Sequence, residues 1–446
     1  MPASLKNLPS RLSLYPYPLL FLVVSLALFC SFWADKHLAT DGVFQFIYIL
    51  DGGKISDLVW QRRFGSYLTA WPLVLAVACG INHIPVLSKI YALGIYFPYV
   101  LSFALCLYAL RDEKKTLLAV VLASMVSNNL QSDYILAGTH QVMINLVWPI
   151  LLLLLRRNNL TFADGLILWV LLILFSCTYE TAIIPAIMFL IICAARLRYR
   201  GQRDQQIISG GAALLCLAVI GISAYFISNP AIPVNKDSFV DSSRAVLRNY
   251  GALTAAGFTF LFAAGLLLKR PMVMAASLLP LGLYIVLIFI LNHSVSAYVS
   301  FSGRTLSASL LNGYIILAIL FWHYQVEPKR AGMLVYACFI LVICLANIYT
   351  LRSWVGFRND FIATLRANKG FVSIETTVLN DNRYGWPWNN SQLGLVWSAP
   401  CVRAIVLNKK DVKWEPFNPM QTLVLKNHLL YDEHFKTIDP AIRTCG

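Results

Sequence analysis

Charge is scarce in this chain. Of its 446 residues, 13% are Asp, Glu, Lys or Arg, where a soluble globular protein carries about 25%. Acid is the scarcer sign, with 21 acidic residues against 36 basic. Hydrophobic residues make up 58%, and apolar runs of about twenty residues recur along the chain. An ordinary water-soluble domain is excluded, and a polytopic membrane protein is indicated.

Nucleotide and metal signatures are missing too. There is no GxGxxG, no phosphate-loop Gly-Lys-Ser/Thr and no HExxH. His140 has no second His or Cys at zinc-ligand spacing, so no zinc site is assigned. A nucleotide-activated donor bound in a soluble domain is therefore not expected. No fixed-period repeat, low-complexity tract or inverted repeat of the transporter kind is visible.

The charge that is present is patterned. The net charge is +15, and the basic residues stand in short clusters between apolar runs: Lys6 and Arg11; Arg111, Lys114 and Lys115; Arg156 and Arg157; Arg196 to Arg203; Lys269 and Arg270; Lys329 and Arg330. This is the positive-inside pattern, and it marks a cytoplasmic face rather than a nucleic-acid surface. The run Tyr17 to Trp33 follows a basic N-terminus and lacks a small-residue cleavage site, so it reads as an uncleaved anchor. Eight cysteines lie in apolar runs and act as small hydrophobes. Cys401 and Cys445 fall in the polar tail, where they either pair in an oxidising compartment or remain thiols.

The predicted fold is an all-α membrane bundle of about 11 spans with a small C-terminal α/β cap. Residues 1–350 form the transmembrane domain with a long first outer loop, 34–89, and residues 351–446 form the outer domain. Spans are predicted near 17–33, 90–110, 116–128, 140–155, 163–178, 181–195, 207–227, 251–268, 272–291, 305–323 and 331–350. Counting 67–84 as a further span would put every later basic cluster outside. It is therefore read as a re-entrant or interfacial helix broken by Pro72 and Gly80. In the tail, Trp354, Phe357, Phe361 and Leu365 recur at helical spacing, and residues 371–377 alternate like a strand. The piece from Leu393 to Leu407 is read as a helix lying on the membrane.

Several outer-face residues are candidates for chemistry. Asp41 lies just past the first span, followed by an amphipathic stretch and the pair Arg62-Arg63. A carboxylate at the lipid–water boundary can act as a general base or hold a divalent cation, and arginines offer forked donors to phosphate. A solvated surface loop explains the same residues. Glu180, at the tip of a tight helical hairpin, is an ionisable group in an apolar stretch and so a functional candidate; alternatively it simply reaches water. Asp133, His140 and Gln141 mark another outer loop, and Arg244, Arg248 and Arg304 are further outer cations.

Together these features resemble the membrane-embedded glycosyltransferases of the GT-C superfamily. The resemblance rests on the many spans, the long first outer loop with Asp41 in Thr-Asp-Gly-Val-Phe-Gln, the basic pair Arg62-Arg63, and the outer tail. It departs from that family in the second outer acid, for which only Asp133 or Glu180 is available. The resemblance implies sugar transfer at the periplasmic side of a bacterial inner membrane. The donor would be a polyprenyl-phosphate sugar, and the acceptor an envelope glycan or glycolipid such as O-antigen or lipopolysaccharide. It implies Asp41 as the base, with Glu180 as a second catalytic carboxylate. Arg62, Arg63 and Arg304 would bind phosphate, His140 would help bind substrate, and Trp386 and Trp388 would either stack on sugar or serve as core or interface aromatics. It also admits Mg or Mn as a cofactor. Three rivals are an O-antigen polymerase or ligase, a polytopic transporter or flippase, and a structural or assembly protein with no chemistry. The first usually carries its large outer loop between late helices, and the second usually carries charge at mid-helix and repeat symmetry.

Overall fold

The computed structural model describes residues 16–39, 41–55, 62–111, 117–129, 139–156, 159–198, 203–229, 265, 311–319, 321–323, 330–379, 390–398, 401–402, 404–407 and 443–444. The predicted spans 251–268 and 272–291 lie outside the described residues apart from residue 265. So do Asp133, Arg244, Arg248, Arg304, Trp386, Trp388, Cys445 and the side chains of Asp41 and Cys401.

The described chain is built mainly of helices. They are α1 (Pro16–Trp33), α2 (Asp41–Gly52), α3 (Arg63–Ala78), α4 (Ile84–Ala109), α5 (Leu117–Asn129), α6 (Thr139–Leu155), α7 (Phe162–Ser176), α8 (Ile183–Arg198), α9 (Arg203–Ser228), α10 (Arg330–Ala367) and α11 (Asn390–Ser398). Residues 311–319 and 321–323 are helical as well. Among the described residues, four helical stretches are long and apolar enough to cross a membrane: Ile84–Ala109, Glu180–Arg198, Arg203–Ser228 and Tyr336–Ala367.

Burial separates the helices by role. All seventeen residues of α6 are buried, so this helix is the centre of the bundle. Around it, α1, α4, α7, α8 and α9 expose Leu22, Leu26, Leu93, Val100, Leu166, Val170, Ile191, Leu214 and Leu217. An apolar belt of that extent on a monomer fits lipid as the surrounding medium.

The first loop is mostly helical, and the helix that follows it starts before the predicted span. α4 begins at Ile84 and already contains Lys89. The apolar segment read as 67–84 is α3, Arg63–Ala78, and Pro72 lies inside it without ending it. Gly80, with φ of 81°, takes the left-handed conformation that turns the chain back, so α3 and α4 form an antiparallel hairpin. The two helices touch closely: a Cβ on Gly94 would lie 1.9 Å from the Thr69 carbonyl oxygen. At 16 residues, α3 is roughly 24 Å long, short of the approximately 30 Å hydrocarbon core.

α10 continues as one helix of 38 residues through position 350, where the sequence reading ended a span. Trp354, Phe357, Phe361 and Leu365 form one buried face of it. They pack in a second core with α2, α11 and the cap strand β3. The Trp354 indole donates to the Ala34 carbonyl at 2.8 Å. In the cap, β1 (Gly370–Ser373) runs parallel to β3 (Ala404–Leu407), with Gly370 opposite Ala404. β2 (Cys401–Val402) runs parallel to β4 (Arg443–Thr444). The piece Leu393 to Leu407 is therefore not one membrane-lying helix. α11 ends at Ser398 and strands follow, because Pro400 cannot continue a helix and Ala-Ile-Val-Leu suits a buried parallel strand.

Candidate functional site

Arg62 and Glu180 come together from distant parts of the chain. Arg62 caps the start of α3, and Glu180 opens the short 3-10 turn between α7 and α8. The backbone holds the two segments in register: the Phe64 N–H donates to the Cys177 carbonyl at 3.1 Å. Gly65 lets α3 approach the first residue of α6, since a Cβ there would lie 2.7 Å from Thr139 Cβ.

The contact between them is a fork. Arg62 Nε donates to Glu180 Oε1 and Nη2 to Oε2, each at 3.1 Å. The side chains are 21% and 15% exposed. The guanidinium carbon lies 4.4 Å from the centre of the Tyr179 ring, and His140 meets the same ring edge-on at 4.7 Å. Arginine, tyrosine, histidine and glutamate thus form one stack. Such a guanidinium can grip any forked anion, carboxylate or phosphate, while its aromatic neighbour holds its plane.

The other end of the bundle carries a separate charged node. Asp164 is fully buried and accepts from Arg111 and from Arg156, the latter at 2.9 Å. It also closes the N-terminal box of α7 with Thr161. From Asp164 to Cys177 along α7 is roughly 20 Å, and from Arg156 back to Thr139 along α6 is roughly 25 Å. From Arg111 back to Lys89 along α4 is roughly 33 Å. Lys89 joins Arg358 on Asp35, at 2.6 and 3.1 Å. The Arg62–Glu180 pair thus lies at the ends of α6 and α7 away from the Asp164 node, towards the end of the bundle that carries Asp35, Lys89 and Arg358.

The structure brings Arg62, Glu180 and His140 into one cluster. Arg63 does not join it: its side chain is exposed and lies over the adjacent Phe64 ring at 5.4 Å. Asp41 is the first residue of α2, a helix that packs against α3 and α11.

Three features escaped the sequence reading. The Asp164 node was signalled by Thr161-x-x-Asp164, the capping-box pattern. The Asp35 hub had no such signal, because its partners are 54 and 323 residues away. The third is His37, which is wholly buried and shares a 3.0 Å hydrogen bond with Ser88 Oγ through Nε2. Burial pushes its imidazole down to about 4, against a smaller opposing pull from Asp35.

Among the described residues, no three His, Cys, Asp or Glu side chains gather as a metal site, and Glu180 commits both oxygens to Arg62. The described donors therefore do not fit a divalent cation.

No family model, curated protein or solved structure matches this chain.

Proposed function

We propose that this chain is a membrane glycosyltransferase that moves a sugar from a polyprenyl-phosphate donor to an envelope glycan or glycolipid at the periplasmic face. The observation that carries the reading is the forked Arg62 guanidinium, seated on Tyr179 and part-buried among apolar helices. A lipid-borne phosphate offers two anionic oxygens to such a fork while its chain lies along the apolar helices. The basic clusters at Arg111, Arg156 and Arg196 mark the opposite, cytoplasmic face.

In this reading Arg62 carries the donor phosphate and, as the sugar departs, stabilises the charge that develops on it. The leaving group is already an anion of low basicity, so the remaining need is a base for the acceptor hydroxyl. Asp41, at the start of α2, takes that proton as the hydroxyl oxygen attacks the anomeric carbon with inversion. α3 reads as the re-entrant element: it starts beside Glu180 and ends at the α3–α4 hairpin.

Cells producing Arg62→Ala or Asp41→Asn at normal protein level test this. Both variants are expected to lose sugar incorporation into envelope glycan by at least a hundredfold. Wild-type incorporation with Arg62→Ala rejects the function, and wild-type incorporation with Asp41→Asn rejects the base.

A further inference from the structure

We infer that Glu180 is the resting occupant of the donor-phosphate site, an internal carboxylate that the incoming lipid phosphate displaces from Arg62. The inference rests on the glycosyltransferase reading and gives Glu180 a part distinct from that of the base.

The two halves of the pair are held unequally. The Arg62 guanidinium lies on the Tyr179 ring, and its backbone is tied down by the Phe64–Cys177 hydrogen bond and the Gly65–Thr139 contact. Glu180 belongs to a three-residue turn between two helices. Among the described residues, Arg62 alone holds its carboxylate. When the pair opens, the arginine stays and the glutamate swings away.

The exchange is matched in shape and in charge. Carboxylate and phosphate both present two oxygens to a guanidinium fork. The sugar donor is a phosphodiester with a single charge, like the carboxylate it replaces, and the monoester left after transfer carries about −1.5 to −2 charges. Without donor, the carboxylate supplies the guanidinium with a forked counter-charge among apolar helices. After transfer, the same glutamate competes with the product phosphate and speeds its departure. Glu180 is thus a positioning residue that gates the phosphate site from both directions.

The test is the binding of undecaprenyl phosphate to the full chain in lipid nanodiscs, with each variant checked for an unchanged elution profile. Arg62→Gln is expected to weaken binding at least tenfold. Glu180→Gln is expected to tighten it about tenfold, because it removes the competitor. Glu180→Asp, one methylene short of Arg62, is expected to tighten it as well. Weaker or unchanged binding in both Glu180 variants, with Arg62→Gln still defective, overturns the gate and leaves the reading of Arg62 standing. Unchanged binding in Arg62→Gln overturns both. Inorganic phosphate below about 1 mM is expected not to compete; competition there overturns the assignment to a lipid-borne phosphate.

Discussion

Asp164 holds Arg156 at 2.9 Å with neither side chain more than 4% exposed, and this pair joins the end of α6 to the start of α7. Arg111, 32% exposed, completes the node from the end of α4. Asp164→Asn keeps the shape and removes the charge, leaving Arg156 buried against a neutral amide. The expected loss is about 3–5 kcal/mol, read as a large drop in the thermal unfolding midpoint in detergent. Asp204→Asn, at an exposed site, serves as the control and is expected to shift stability by less than about 0.5 kcal/mol.

His37 makes stability depend on pH. Its folded pKa is pushed down to about 4 from 6.5. Between these values the unfolded chain binds a proton that the folded chain does not. The contribution is therefore complete above about 6.5 and is lost as pH falls towards about 4, to a maximum of roughly 3 kcal/mol. His37→Phe is expected to flatten this part of the curve of unfolding midpoint against pH. An unchanged slope in that variant would assign the acid sensitivity elsewhere.

Glycines at two places should respond in opposite senses to alanine. At Gly94 a Cβ would meet the Thr69 carbonyl oxygen at 1.9 Å, so Gly94→Ala must push α3 off α4. A loss of about 1–3 kcal/mol is expected, together with reduced activity, because α3 carries Arg62. At Gly356, in α10, a Cβ meets nothing within 4 Å. Gly356→Ala is expected to add about 0.5–1 kcal/mol by restricting the unfolded chain. Paired melting curves check both.

Gln392 is fully buried in α11, and among the described residues neither its amide nitrogen nor its amide oxygen has a hydrogen-bond partner. Such a group costs about 1–3 kcal/mol of desolvation. Gln392→Met, close in shape and without the amide, is expected to raise the unfolding midpoint by a few degrees. A fall instead would mean that the amide has an occupant in the folded protein.

The helices that the sequence announced best were those ended by charge. α5, α6 and α9 lie close to their predicted bounds, because Arg111 to Lys115, Arg156 and Arg203 stop the apolar runs. α3 was less legible. Its first turn, Arg63-Phe-Gly-Ser, is too polar for a hydropathy reading, and Pro72 suggests a break that the neighbouring α4 makes unnecessary. The cap misled for a different reason: the apolar run Leu393 to Leu407 contains both a helix and strands, and a short buried run has no period that separates the two. At the site, Arg62, Glu180 and His140 were each visible as polar residues beside membrane spans. Their convergence depends on contacts spanning 118 residues of sequence, which no local pattern encodes.

α10 has a mechanical corollary. Its 38 residues form one unbroken rod of roughly 57 Å, gripped by α1 and α5 along one stretch and bearing the β1–β3 layer on the other. A rod so held has no joint between its ends, and it is fastened twice: α1 and α5 grip one stretch, while Trp354 and Arg358 bind Ala34 and Asp35 just past the end of α1. Any shift of α1 and of the β1–β3 layer must therefore occur together.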